Sequence, residues 1–527
     1  MNKELDYLSK RVAKGLMTRR EFTGRAAALG MTAAMASSML ATAVHAEGPK
    51  KGGTLKIGAQ GGSTTDSLDP ALAANFVATQ VNLLWGEPLV SLSDNGGLDG
   101  RVAESFEGSA DAKTWTFKLR QGITFSTGQA VTAEDVAATI RRHSGEDTKS
   151  GALGLLRDID TVTADGDSVV IGLKNANADL PYYMQDYHLV IQPGGGVDNP
   201  TAAIGTGPYI LKDHEMGVRF VFEKNPNYWG DYGHASTIEL IVINDNTARV
   251  AALQSGQVDI IDRVPPRTAG LIGRAPNITV HSEPAAGHYV FIMHCDTAPF
   301  DNNEMRMALK HAMNRQEMVD KVLFGYGSVG NDTPINSSYP LFTEFEQREY
   351  DAAKAKEHFD KSGHSGSVLL RTSDNSFPGA PDAAALFQQS AAAAGIELEI
   401  KREPNDGYWS EVWNAQPFCT SYWGGRPVQD QMFSTAYLST ADWNDTRFFN
   451  DEFDSLLTSA RAELDEAKRQ EMYAKMGAIL RDEGGLICPM FNDFIDAQSD
   501  RIAGWVPEVP GFGFMNNSAP MRMWVTA

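Results

Sequence analysis

Apolar and polar positions along this chain follow two spacings. Thr54-Leu55-Lys56-Ile57-Gly58 and Trp115-Thr116-Phe117-Lys118-Leu119-Arg120 alternate one for one. That is the pattern of an extended chain, whose successive side chains point to opposite faces, and both segments are predicted strands. Gly122 and Gly128 bracket Ile123-Thr124-Phe125, which makes the second segment part of a predicted hairpin. Ser168-Val169-Val170-Ile171-Gly172-Leu173 and Ile396-Glu397-Leu398-Glu399-Ile400 read as further strands. Gly205-Thr206-Gly207-Pro208-Tyr209-Ile210 is a turn entering a strand, with 219–223 as its partner. Residues 238–243 are almost continuously apolar, as in a strand covered on both faces.

Elsewhere the spacing is helical. Thr132 can cap a helix running to about residue 143 while Asp135, three positions on, reaches back to the Thr132 amide. Met305, Ala308, Leu309 and Met313 share one face of a predicted helix over 302–323. An alanine-rich helix over 383–394 stops at Gly395, and 451–481 is mostly helical. Strands and helices alternate along the chain with no fixed repeat, which argues for an α/β or mixed α+β architecture. At 527 residues, roughly two to four domains are expected.

Charge removes one class of partner. The chain has 46 basic and 67 acidic residues, a net charge of −21 that repels polyanions, so nucleic acid is excluded as a partner. Cys295, Cys419 and Cys488 are odd in number and widely separated, which is neither a disulfide framework nor a metal motif, and they read as buried free thiols. At the N-terminus, Thr18-Arg19-Arg20-Glu21-Phe22 precedes a modestly apolar stretch over 26–43 and then Val44-His45-Ala46. This describes a twin-arginine export signal cut near Ala46, although Gly24 and Arg25 stand where a lysine is usual. The stretch carries Thr, Ser and Gly and is bounded by Arg25, so it is not expected to stay in the membrane, and the mature protein is expected in the periplasm.

Enzyme signatures are missing: no S-x-x-K, G-x-S-x-G, H-E-x-x-H or Walker loop occurs. Gly325-Tyr326-Gly327-Ser328-Val329-Gly330 lacks the phosphate-binding lysine, with Asn331 in its place, and reads as a loop. His281, His288 and His294 fit no zinc spacing. No cofactor and no metal site are expected. One stretch does ask for a partner. In TSYWGGRPVQD, residues 420–430, a single guanidinium, Arg426, follows two glycines and the aromatics Tyr422 and Trp423. Such a group suits a carboxylate or phosphate ligand, or an ion pair with an acid such as Asp430.

Several blocks in order resemble family 5 extracellular solute-binding proteins, the dipeptide, oligopeptide and nickel receptors of ABC importers. They are Thr114 to Gly122 with Phe125 and Gly128, Thr132-Ala133-Glu134-Asp135-Val136, Gly205-Thr206-Gly207-Pro208-Tyr209 and Asn225-Pro226-Asn227-Tyr228-Trp229. Pro299-Phe300-Asp301, Arg306-Met307-Ala308-Leu309 and Asn314-Arg315 complete the set, and together they span most of residues 50–500. The resemblance implies a type II periplasmic-binding-protein fold with an extra subdomain, of the kind called cluster C. The expected division is a signal over 1–46, a discontinuous first lobe of 47–79, 203–282 and 496–527, a subdomain of 80–202 and a second lobe of 283–495. It also implies a non-enzymatic monomer that closes on a small solute and delivers it to a membrane permease.

The departures from that family define the expected site. Peptide-binding members carry an aspartate for the peptide's amino terminus in the segment matching 422–433, where this chain has Gly425 and then Arg426. Dipeptide receptors place an arginine for the carboxylate before the long second-lobe helix, and the matching position here is Asp374. With both charges inverted, Arg426 is expected to hold an anionic group, backed by Trp423 or Tyr422. Phe76, Asn75 and Asp332 (in Asn331-Asp332-Thr333-Pro334) are expected at the cleft, and Trp409 and Trp413 in core packing. The expected solute is peptide-like. A non-peptide anionic or zwitterionic solute, such as an opine, osmolyte or chelate, is the alternative, and an exported enzyme a more distant one.

Overall fold

Leu55, Ile57 and Ala59 are fully buried, which is why the alternating strand Thr54–Ala59 forms where it does. It pairs in parallel with Thr237–Val242 on one side and Ile260–Ile261 on the other. The computed structural model describes residues 48–373, 376–404, 408–441, 443–507 and 513–526. The export signal and Asp374 lie outside the described residues, as does the side chain of Trp409.

Around Thr54–Ala59 runs a seven-stranded sheet in the order Ile278–Glu283, Phe494–Ser499, Ile260–Ile261, Thr54–Ala59, Thr237–Val242, Arg219–Lys224, Tyr209–Glu215. A six-stranded sheet has the order Gly327–Val329, Leu486–Asn492, His288–Met293, Phe418–Trp423, Val368–Thr372, Leu398–Arg402. We call the bodies built on them the first and second lobes. A four-stranded antiparallel sheet, Ala103–Gly108, Thr114–Leu119, Ser168–Leu173 and Ile159–Asp165, forms a third body with its own apolar core.

The chain passes between the lobes twice. It leaves the first sheet at Glu283 and enters the second at His288, then returns from Asn492 to Phe494. Glu283 pairs with Phe494 and His288 with Phe491, so the two crossings lie side by side. Sheet membership thus puts Glu283, Phe494 and Ile495 with the first lobe. The helix Phe76–Trp85, which a boundary at residue 79 would divide, packs as one piece in the first-lobe core through Val77, Val81, Leu84 and Trp85.

Local signals hold up well. Thr132 and Asp135 form a reciprocal capping box on the helix Ala133–Ser144, and Gly395 follows the helix Ala380–Ala392 in a left-handed conformation with φ of 74°. Tyr209–Glu215 pairs with Arg219–Lys224 as expected. Four expectations change. The helix over 302–323 is two, Asn303–Ala312 and Arg315–Lys321, because Asn314 turns out of the first to cap the second. Thr114–Leu119 pairs with Ala103–Gly108 and Ser168–Leu173 instead of the Ile123–Phe125 segment, which closes its own turn through Phe125 N–H and the Gln129 carbonyl. Thr237–Val242 buries Ile238 and Leu240 fully but not the intervening side chains. Gly327–Val329 is a short strand, not a loop. Cys295, Cys419 and Cys488 are free thiols, the last two fully buried and Cys295 half-buried.

Candidate functional site

A cavity of about 930 Å³ lies between the lobes and the third body. Asn75, Phe76, Asp262, Arg263, Asp496 and Phe514 line it from the first lobe. Tyr183 and Arg101 line it from the third body, and Gly425, Arg426, Asp430 and Trp443 from the second lobe. That volume sits in the roughly 300–1,000 Å³ range of small-molecule sites.

Arg426 lines the cavity three residues past the end of the strand Phe418–Trp423, after Gly424 and Gly425. A Cβ on Gly425 would lie 2.7 Å from the Ala286 Cβ, so the position admits no side chain without displacing the first crossing. The Arg426 guanidinium donates to the carbonyls of Gly424 and Gly425 at 3.0 and 3.2 Å, and its backbone N–H to the Tyr339 hydroxyl at 3.3 Å. Among the described residues no carboxylate pairs with it. Burial pushes its pKa below the ordinary guanidinium value, as expected of a cation withdrawn from water with no counter-ion. Asp430 is engaged elsewhere: it accepts from Arg461 Nε at 2.6 Å and from the Tyr183 hydroxyl at 3.2 Å. The ion-pair reading of Arg426 with Asp430 therefore fails in this structure.

Asn75 and Phe76 meet Arg426 across the same cavity. Asn75 caps the helix Phe76–Trp85 by accepting from Ala78 N–H at 3.0 Å, and donates to Asp66 at 2.9 Å. The Phe76 ring lies edge-on to Phe514 at 5.4 Å, with the Arg263 guanidinium 5.7 Å from its centroid. Arg263 holds a left-handed backbone, φ of 49°, uncommon for a residue with a side chain.

The remaining candidates are placed differently. Trp423 is buried and donates from Nε1 to Asp445 at 3.2 Å, its ring packed against Trp413 and Trp443. Burial pushes the Asp445 carboxyl up to about 7, against two indole N–H donors. Of this tryptophan group only Trp443 lines the cavity. Tyr422 is half exposed and is not in the cavity wall, as strand alternation requires once Trp423 faces inward. Asp332 is a clear correction: it is fully buried in the second lobe, away from the cavity, between Arg315 at 2.6 Å, Arg348 at 2.5 Å and the Cys488 N–H at 3.1 Å. Burial raises its pKa, but those two arginines and Lys310 outweigh it and hold it at about 2.

The third body also grips the second lobe. Arg469 pairs with buried Asp179, which accepts from the Tyr473 hydroxyl at 3.2 Å. Ala178 N–H bonds the Arg461 carbonyl at 2.8 Å, and Val428 inserts into the apolar core of the third body. These contacts, with Tyr183 to Asp430, join the third body to the second lobe beside the cavity. Sequence patterns marked none of Asp262, Arg263, Trp443 or Asp496. In an acid-rich chain a single aspartate carries no local signal.

Comparison with known proteins settles the family. The model for bacterial extracellular solute-binding proteins, family 5, matches residues 97–445. The chain belongs to that family. Among relatives of this family 5 protein, the glutathione-binding protein GsiB of Salmonella typhi is 25% identical over 474 residues, covering 86% of this chain and 92% of its own. Solved structures agree in fold. The binding protein AgaA of A. tumefaciens R10, in complex with agropinic acid, matches with a TM-score of 0.71 at 24% identity, over 90% of this chain and 99% of its own. The Listeria monocytogenes protein CtaP gives 0.78 at 22%, over 91% and 100%. DppA of Helicobacter pylori, in complex with the peptide STSA, gives 0.72 at 19%, over 92% and 100%. The fold is that of the type II periplasmic binding proteins. Among the described residues no helix is long and apolar enough to cross a membrane, and no cluster of three or more metal-ligating side chains occurs.

Proposed function

We propose that this protein is the receptor of an ABC importer, a monomer that captures a peptide-like solute bearing a free carboxylate between its lobes and presents it to a permease. The observation that carries this reading is Arg426, a cation in the wall of the interlobe cavity with no carboxylate paired to it among the described residues. A bidentate carboxylate would satisfy it, and contacts available only with the lobes together favour the closed form. The residue ranges of signal, lobes and subdomain, with the helix Phe76–Trp85, Glu283, Phe494 and Ile495 assigned to the first lobe, belong to this proposal, as do twin-arginine export and cleavage near Ala46. The GsiB and DppA resemblances support a peptide-like guest. AgaA and the glycine at position 425 support a second reading, a non-peptide anionic or zwitterionic solute such as an opine, osmolyte or chelate.

Differential scanning fluorimetry against dipeptides, glutathione and opines tests the proposal. A cognate solute should raise the wild-type melting temperature by several degrees, and Arg426→Ala should lose most of that rise. Equal rises in the two proteins would remove Arg426 from the site.

A further inference from the structure

Two carboxyl groups stand against each other in the first-lobe wall of the cavity. Ile260–Ile261 and Phe494–Ser499 are antiparallel neighbours with Ile261 opposite Ala497, which sets Asp262 opposite Asp496. Both line the cavity and both are at most 3% exposed. Like charges directly opposite each other on adjacent strands repel, so the arrangement requires compensation.

The protein supplies only part of it. Asp262 accepts from Gln60 N–H at 3.0 Å through Oδ1, with Arg249 Nε 3.5 Å from the same oxygen. Its other oxygen, Oδ2, is buried with no hydrogen-bond donor, and Arg263 Nε stands off at 3.7 Å. Arg249 also spends its N–H groups on the carbonyls of Asp262, Ile243 and Arg263. Asp496 accepts from the backbone N–H groups of Phe514, at 3.0 Å, and Arg263, and among the described residues no lysine, arginine or histidine side chain pairs with it. Among the described residues Asp496 lacks a cation, in a cavity whose far wall carries a guanidinium with no carboxylate partner.

We propose that Asp496, with Asp262 beside it, seats the ammonium group of the ligand. The solute is then a zwitterion whose carboxylate lies on Arg426 of the second lobe and whose primary or secondary amine lies on Asp496 of the first. A metal ion would find two carboxyl groups where calcium takes six to eight oxygens, so an organic cation fits better. Burial, with Asp262 and Glu283 nearby, pushes the Asp496 carboxyl up to about 8, which marks a group short of a cation. Each lobe holds one end of the guest, so the guest itself ties the lobes together. This rests on the receptor reading above and adds the charge that the guest must carry.

Matched probes separate the two ideas. Alanylglycine, alanylglutamate and glutathione are titrated by calorimetry beside des-amino counterparts in which hydrogen replaces the ammonium: propionylglycine, propionylglutamate and glutaryl-cysteinylglycine. The inference expects wild-type protein to bind at least one free amine tenfold or more tightly than its des-amino partner. Asp496→Asn should erase that preference, and Asp262→Asn, which keeps the shape of the wall, should reduce it. Equal affinity within each pair, or an unchanged preference in both variants, overturns the ammonium seat and leaves the receptor reading standing. No response of the wild type to any probe, free or des-amino, counts against both.

Discussion

Asp332 illustrates how much a single residue depends on partners remote in sequence. It was picked out by the loop around it, yet its role is set by Arg315 and Arg348, which close on it inside the second lobe. Asp332→Asn leaves buried Arg315 without its carboxylate and Arg348 with only Asp482, and breaking such a buried network typically costs about 3–5 kcal/mol. The pH sign follows from the held-down carboxyl. Folded Asp332 titrates near 2 against an ordinary value of 3.8, so its stabilisation is fully present above pH 3.8 and is lost as pH falls through that window toward 2. Acid unfolding followed by circular dichroism should therefore lose part of its steepness below pH 4 in Asp332→Asn. A variant as stable as wild type at pH 7 would contradict the network. Arg426 was legible because two glycines and two aromatics isolate it locally. Asp496 was not, because what distinguishes it is the carboxyl on the neighbouring strand.

At the level of elements, local chemistry was readable and pairing was not. Caps, stop signals and one-for-one alternation act within a few residues, so the box on Ala133–Ser144 and the left-handed Gly395 could be placed without the fold. Strand partners are chosen by register across the whole chain, which is why Thr114–Leu119 takes Ser168–Leu173 in place of the segment that follows it. Asn314 ends one helix and begins another because its side chain accepts from the Glu317 N–H, a bond unavailable in a continuous helix. Thr132→Ala removes the cap on Ala133–Ser144 and should lower stability by about 1 kcal/mol in denaturant unfolding. Solute affinity should stay within twofold, since the cap lies outside the cavity wall. A tenfold loss of affinity would mean that this helix does more than support the third body.

For the molecule as a whole, resemblance foretold two lobes and a subdomain, but not that the subdomain would fasten the second lobe. Arg469, Tyr473 and Asp179 form that fastening with Tyr183, Asp430 and Arg461. Arg469→Ala strands the buried Asp179 carboxylate while the third body and second lobe are together, so it should favour their separation. The expected outcome is a roughly tenfold faster solute release by stopped-flow, about 1.4 kcal/mol, and a larger ligand-free radius by small-angle scattering. Unchanged release would show that the fastening carries no part of closure. The paired crossings have a mechanical consequence. Residues 284–287 make one link, but Asp493 alone makes the other, and it accepts a bond from the Ser282 hydroxyl at 2.5 Å. A tether of one residue has no slack for sliding. The halves can swing about that spine and do little else, so cargo must enter and leave at the opposite margin, where the face offered to a permease would report whether the molecule is full.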